Sequence, residues 1–140
     1  MKRFGPVLFS PLLLIAAIAL GCGSPSNNNQ SNTSQLQSIS LSPSTADAKD
    51  YPDGQVQFVA TGYYAAPPSP ITPLKVQTWG VCQANAPTTE VEISNTGVAT
   101  CGDEASGTYS VFGADMTQCL TIGPCGEGCY VTGTAKLTCP

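Results

Sequence analysis

Histidine is missing from all 140 residues, and arginine occurs once, at Arg3. These two absences remove Ser-His-Asp and Cys-His nucleophile pairs and His-ligated zinc. Beyond residue 3 they also remove any arginine clamp on phosphate or carboxylate. Charge is scarce as well: 10% of residues, nine acids against five cations, for a net of −4. So acidic a chain lacks the basic stripe that nucleic acid requires, and no nucleic-acid partner is expected. No stretch carries the 3.6-residue period of an amphipathic helix. The longest apolar run, Val7 to Leu20, is interrupted only by Ser10 and Pro11. It is shorter than the ~20 residues that a membrane-spanning helix needs.

A basic start, Met1-Lys2-Arg3, followed by that short apolar run has the build of a secretory signal peptide. The run ends in Ala19-Leu20-Gly21-Cys22, which resembles a bacterial lipobox, with alanine at the third position back, where leucine is commonest. The resemblance implies that residues 1–21 are removed, that the Cys22 thiol takes a diacylglycerol and that its new amino group is acylated. Several acyl chains, at ~0.8 kcal/mol per buried CH₂, hold far more firmly than one. The plainer alternative is an ordinary secretory signal with Cys22 as a stray thiol. Losing Lys2 and Arg3 takes the charge from −4 to −6 and leaves Lys49, Lys75 and Lys136 as cations. Residues 22–35 then form a lipidated cysteine and a tether. Gly23–Gln35 has no charge and no large apolar residue, so it is expected to be disordered, with a span of roughly 20 Å. Gly23, rather than an aspartate, follows Cys22, which points to the outer membrane or cell surface rather than the inner membrane.

Six further cysteines follow: Cys82, Cys101, Cys119, Cys125, Cys129 and Cys139. An even number in a small exported domain reads as three disulfides. A Cys₄ zinc site from Cys119, Cys125, Cys129 and Cys139 is the rival, but the spacing lacks C-x₂-C knuckles and an oxidising compartment disfavours it. Cys82 and Cys101 both close strand-like runs, so they are the expected pair, a link that would contribute ~3 kcal/mol through its loop. Pairing among the other four is left open. Cys125 and Cys129 are three residues apart, not a C-x-x-C redox motif, and read as structural.

From Leu36 to Pro140 the chain reads as short β-runs between turn residues. Ser38–Leu41 alternates. Pro52-Asp53-Gly54 turns the chain into Gln55–Thr61, where Val56, Phe58 and Ala60 share a face. Leu74–Cys82 carries the sole tryptophan, Trp79, but its parity is unclean: Leu74 and Val76 fall on one face, Trp79 and Val81 on the other. A bulge near Gln77-Thr78 or burial of both faces would reconcile this. Glu90–Ser94 alternates glutamates outward and Val91/Ile93 inward. Asn95-Thr96-Gly97 then turns into Val98–Cys101. Gly107–Ala114 and Tyr130–Cys139 complete seven segments. The expected fold is an all-β, disulfide-stabilised immunoglobulin-like sandwich of about seven strands, with a small β-barrel as the alternative.

Leu36–Ser44, Gly54–Gly62, Trp79, Ile93–Ala99, Ala105–Val111 and Gly133–Thr138 follow one another in an order similar to that of group 2 bacterial immunoglobulin-like domains. The likeness covers about 100 residues; the cysteines and the long Cys119–Cys129 segment depart from it. It implies a sandwich fold, no shared active site, and a place among cell-surface proteins in which such modules serve as spacers or in adhesion.

Residue patterns offer few chemical sites. Asp47, Asp50 and Asp53 flank one turn and Asp103-Glu104 sit in another loop. Calcium favours such oxygens, but the spacing is not that of an EF-hand, and solvated acidic turns suffice. Glu90 and Glu92 lie two apart on one strand face and read as an exposed sheet surface rather than a glycosidase pair. Tyr63-Tyr64, followed by Ala65-Ala66-Pro67-Pro68-Ser69-Pro70, places two aromatics on a stiff loop. Rigid aromatics of this kind bind partners or sugars; alternatively one caps the core and the other packs on proline. The expectation is a monomeric, non-enzymatic protein of the bacterial envelope, held to the membrane by lipid at Cys22 and using no cofactor or metal. Its module would serve adhesion, protein or glycan binding, or envelope architecture. The alternative is a disulfide-rich secreted inhibitor presenting Ala65–Pro73.

Overall fold

The computed structural model describes residues 35–119, 121, 123–129 and 131–140. The expected signal peptide, the lipidation site at Cys22 and the tether up to residue 34 lie outside the described residues. Strand β1 (Leu36–Ser42) pairs antiparallel with β4 (Val59–Tyr64), while β3 (Gln55–Gln57) pairs with β8 (Val98–Cys101), which in turn pairs with β7 (Val91–Ile93). β3 and β4 are two halves of one run, separated at Phe58, whose N–H turns to the Gly97 carbonyl at 2.8 Å. One layer is therefore β1, β4/β3, β8 and β7. The second is a five-stranded sheet in the order β2 (Thr45–Asp47), β10 (Thr132–Cys139), β9 (Gly107–Ala114), β5 (Thr78–Gln83) and β6 (Ala86–Pro87). This is an all-β sandwich with the strand order of an immunoglobulin domain. Its five-stranded sheet ends on β2 and β6 and does not close into a barrel.

Alternation builds the core. Val56, Phe58, Ala60 and Ala99 from the first layer, and Tyr109, Val111, Ala135 and Leu137 from the second, are all buried in one cluster. Each large apolar side chain there contributes roughly 1.5–3 kcal/mol by leaving water. A register shift between Leu36 and Ser38 lets both Leu36 and Ile39, three residues apart, turn inward, as a bulge does. The Pro52-Asp53-Gly54 turn is present, with Asp53 at φ 56° and Gly54 at φ 64°. The Ser94–Gly97 turn is held by Ser94 Oγ, which accepts from the N–H groups of Thr96 (3.3 Å) and Val98 (3.0 Å).

All seven expected segments are strands in whole or part, with three departures. The tryptophan run does not start at Leu74: β5 begins at Thr78, and residues 74–76 are irregular. That break, rather than a bulge, separates the two parities, and β5 beyond it is buried on both faces at Val81 and Cys82. β2 was hidden behind Pro43; it runs parallel to β10, Thr45 opposite Lys136. β6 is a two-residue edge added after the Ala84-Asn85 turn, where both residues have positive φ.

The five-stranded sheet is also covered on its outer face. Adjacent residues Val111 and Phe112 are both buried, as are Val81 and Cys82, so each pair points to opposite sides of the sheet. Phe112 belongs outside the main core and lies over Gly80. A Cβ on Gly126 of the cysteine-rich β9–β10 connection would come within 3.0 Å of the same ring. That connection folds back on the sheet and is pinned there by Cys82–Cys125, while Cys119–Cys129 closes its own base. The third disulfide, Cys101–Cys139, ties β8 of one layer to β10 of the other. The expected Cys82–Cys101 pair is therefore wrong. Cys82 occupies the outward parity of β5, whereas Cys101 packs against the interior of the opposite layer, so their side chains are on different sides of a sheet. All six cysteines are in disulfides, which leaves no Cys₄ set for zinc.

Candidate binding groove beneath a proline strap

The proline-rich stretch after β4 does not project as a free loop. It folds back along the edge of β4 that β1 leaves open. Gly62 N–H donates to the Ile71 carbonyl (3.0 Å), Ile71 N–H returns to Gly62 (2.9 Å) and Leu74 N–H donates to Ala60 (2.7 Å). Side chains add to this: Tyr64 N–H donates to Ser69 Oγ at 2.9 Å, and the Thr61 and Thr72 hydroxyls are 2.7 Å apart. Gly62 permits the close approach, because a Cβ there would lie 2.9 Å from Leu74 Cδ2 and 3.0 Å from Leu36 Cδ1. A strap with prolines at 67, 68, 70 and 73 has few N–H groups to offer a further strand. It satisfies β4 and blunts the sheet edge against other chains.

The structure separates the two expected tyrosines. They alternate on β4, so Tyr64 packs on the core while Tyr63 points out and is 42% exposed. Among the described residues Tyr63 is the exposed large hydrophobic. Pro67 and Pro68 are exposed on the strap. Tyr63, Pro67 and Pro68 therefore remain a surface, and Tyr64 serves the fold.

Beneath the strap's return limb lies a groove that the sequence did not reveal. It encloses about 390 Å³ between Gln57–Ala60, Pro73–Val76, Trp79 and the Asn95-Thr96 turn. The Trp79 indole wedges between two glycines. A Cβ at Gly97 would sit 2.8 Å from its Cζ2, and one at Gly113 3.3 Å from its Cζ3. Gln57 is fixed at the rim, its Nε2 donating to the carbonyls of Phe58 (2.8 Å) and Thr96 (2.9 Å). Its Oε1 is left as an acceptor. Among the described residues, Trp79 Nε1, the Asn95 amide and Lys75 Nζ have no hydrogen-bond or ion-pair partner. The lining comes from four separate segments, so no local motif could announce it. The unclean parity around Trp79 was the one sequence signal, since it marked where the groove wall gives way to the start of β5.

The acidic candidates take other roles. Asp47 pairs with Lys49 at 2.7 Å and accepts from the Lys49 N–H. The ammonium hydrogen bond holds the Asp47 carboxyl below its usual range, and Asp47 in turn holds Lys49 above its own. Among the described residues no group of three or more acidic or cysteine side chains is arranged to hold a metal ion. Glu90 is exposed, as expected, but it also has a partner in the fold. It precedes β7 and accepts a hydrogen bond from the Tyr109 hydroxyl, which also accepts from Ser106 N–H at 3.1 Å. A tyrosine near the start of this strand, bonding to backbone a few residues upstream, is the tyrosine corner of immunoglobulin sandwiches. The Glu90 carboxylate, first, and then desolvation, raise the Tyr109 hydroxyl above its ordinary pKa. Glu92 is exposed on β7 and forms no pair with Glu90. Compared with known protein families and with curated proteins, the chain matches none.

Proposed function

We propose that this protein is a lipid-anchored, non-enzymatic component of the bacterial cell envelope. Its immunoglobulin-like module, of the group 2 bacterial kind, engages a protein or glycan, or spaces the envelope, outside the inner membrane. The supporting observation is the strap. A sandwich edge is sealed by its own chain, while Tyr63 and the neighbouring prolines are held rigidly outward on hydrogen-bonded backbone. That arrangement limits the entropy lost when a partner binds. The lipobox-like Ala19–Cys22 and the three disulfides support an anchored, oxidising location. The inhibitor alternative is less well supported, because a strap hydrogen-bonded along β4 is not free to enter a protease cleft.

Two measurements test this reading. Cells fed a labelled fatty acid should label the full chain but not Cys22→Ala; label-free wild type removes the anchor. Envelope pull-downs should recover a protein or glycan with wild type and lose it with Tyr63→Ala. Equal recovery by the two removes the strap surface.

A further inference from the structure

We infer that the Trp79 groove is a binding site for a single carboxylated sugar, a pyranose of the uronic-acid type. The inference deepens the proposed reading of the protein as a binding module and rests on it.

The groove's volume, about 390 Å³, lies at the lower end of small-molecule sites and admits one ring rather than a folded partner. Its chemistry is mixed in a specific way. Leu74, Val76 and the indole of Trp79 supply apolar surface, while the rim carries groups with unspent hydrogen-bonding capacity. Trp79 Nε1–H donates only, Gln57 Oε1 accepts, and the Asn95 amide does both. A ligand that uses all of these presents an apolar face and several hydroxyls that both donate and accept, which is the surface of a pyranose. The remaining group is Lys75, a cation without an ion-pair partner among the described residues, in a chain with nine acids. One lysine on a lining that also carries two amide side chains suits one carboxylate. A phosphate group calls for several cations or a nest of backbone N–H groups, which the groove lining does not offer. A fatty acid would leave the amides unsatisfied.

The site is pre-organised. Gln57 is held by two backbone carbonyls, and Trp79 is wedged against Gly97 and Gly113. Little rotamer freedom is left to lose on binding.

Trp79 is the sole tryptophan in the chain, so selectively excited tryptophan emission reports on a wall of this groove. The full chain, in detergent, is titrated with glucuronic acid, glucose and N-acetylalanine. Glucuronic acid is expected to shift the emission with a dissociation constant of about 1 mM. Glucose should bind about tenfold more weakly, and N-acetylalanine, a carboxylate without a sugar, should have no effect. Lys75→Met should bring glucuronic acid to the level of glucose. Asn95→Ala should weaken both sugars, with the thermal midpoint unchanged in each variant. No spectral change with glucuronic acid in the tens of millimolar overturns the proposal. So does equal binding of N-acetylalanine, or discrimination that survives Lys75→Met. Such a failure alongside a retained envelope partner removes the groove and leaves the strap surface standing.

Discussion

Removing the Cys101–Cys139 link should cost the sandwich a large part of its stability. The bond joins the end of β8 to the end of β10 and closes a segment with a sequence separation of 38. In the chain-entropy account a loop of that length contributes about 4 kcal/mol by restricting the unfolded chain. A domain of this size is typically stable by only about 5–15 kcal/mol. At roughly 4–8 °C per kcal/mol, the thermal midpoint of the Cys101→Ala/Cys139→Ala double variant should fall by about 15–30 °C. Cys119–Cys129, with a separation of 10, makes a useful comparison. Its loop term is about 3 kcal/mol, but it closes a surface connection that can open without parting the two layers. Its removal should therefore lower the global midpoint less. Scanning calorimetry of both double variants, with peptide mapping of the intact bonds, decides the matter. The reasoning fails if the Cys101/Cys139 variant melts within a degree or two of wild type. It also fails if mapping joins Cys139 to any residue other than Cys101.

Other substitutions probe the remaining supports. Gly97→Ala places a side chain at φ +85° and 2.8 Å from Trp79 Cζ2; a loss of about 2–4 kcal/mol in urea unfolding is expected, with altered tryptophan emission. Phe112→Ala empties the contact between the outer face of β9 and Gly126. It should cost about 3 kcal/mol and raise hydrogen exchange in residues 123–129 more than in β3 or β8. Tyr109→Phe removes the acceptor of Ser106 N–H and the donor to Glu90, so the melting temperature should fall. Because the folded state raises the Tyr109 pKa, its contribution is complete below the unfolded tyrosine value of about 10. That contribution is lost as pH rises through the higher folded value. Stability measured across that alkaline window should therefore decline less steeply in Tyr109→Phe than in wild type, and equal slopes would refute the assignment.

Much of the fold was legible because strand burial has a period of two. Val56, Phe58 and Ala60 show that period, as do Tyr109 and Val111, and Val131, Ala135 and Leu137 with Cys139; all are buried as the alternation requires. Turns were legible where their chemistry is local, as at Asp53-Gly54 and Asn95-Thr96-Gly97. Signals failed where the deciding partner was remote. β2 is three residues long and exists only because β10 pairs with it. The exposure of Glu90 was legible, but nothing near it in sequence reveals its partner, a tyrosine hydroxyl 19 positions away. The proline strap read as a free loop because its hydrogen bonds run to β4, and the groove it borders draws on four segments.

By itself the sequence determined the class of object: strands without amphipathic helices, cysteines in an even number beyond Cys22, and none of the histidine that common catalytic arrangements use. These follow from composition and short-range periodicity, which act within a few residues. Tertiary structure alone decided which cysteines bond. Sulfurs join only when the two sheets bring their Cβ atoms within a few ångströms on the same side, and parity sent Cys82 outward and Cys101 inward. It likewise decided that Tyr63 faces solvent while Tyr64 does not, and that Trp79 lines a groove. Each of these depends on which remote strand or strap lies across the residue, a property of the folded layers rather than of any local stretch.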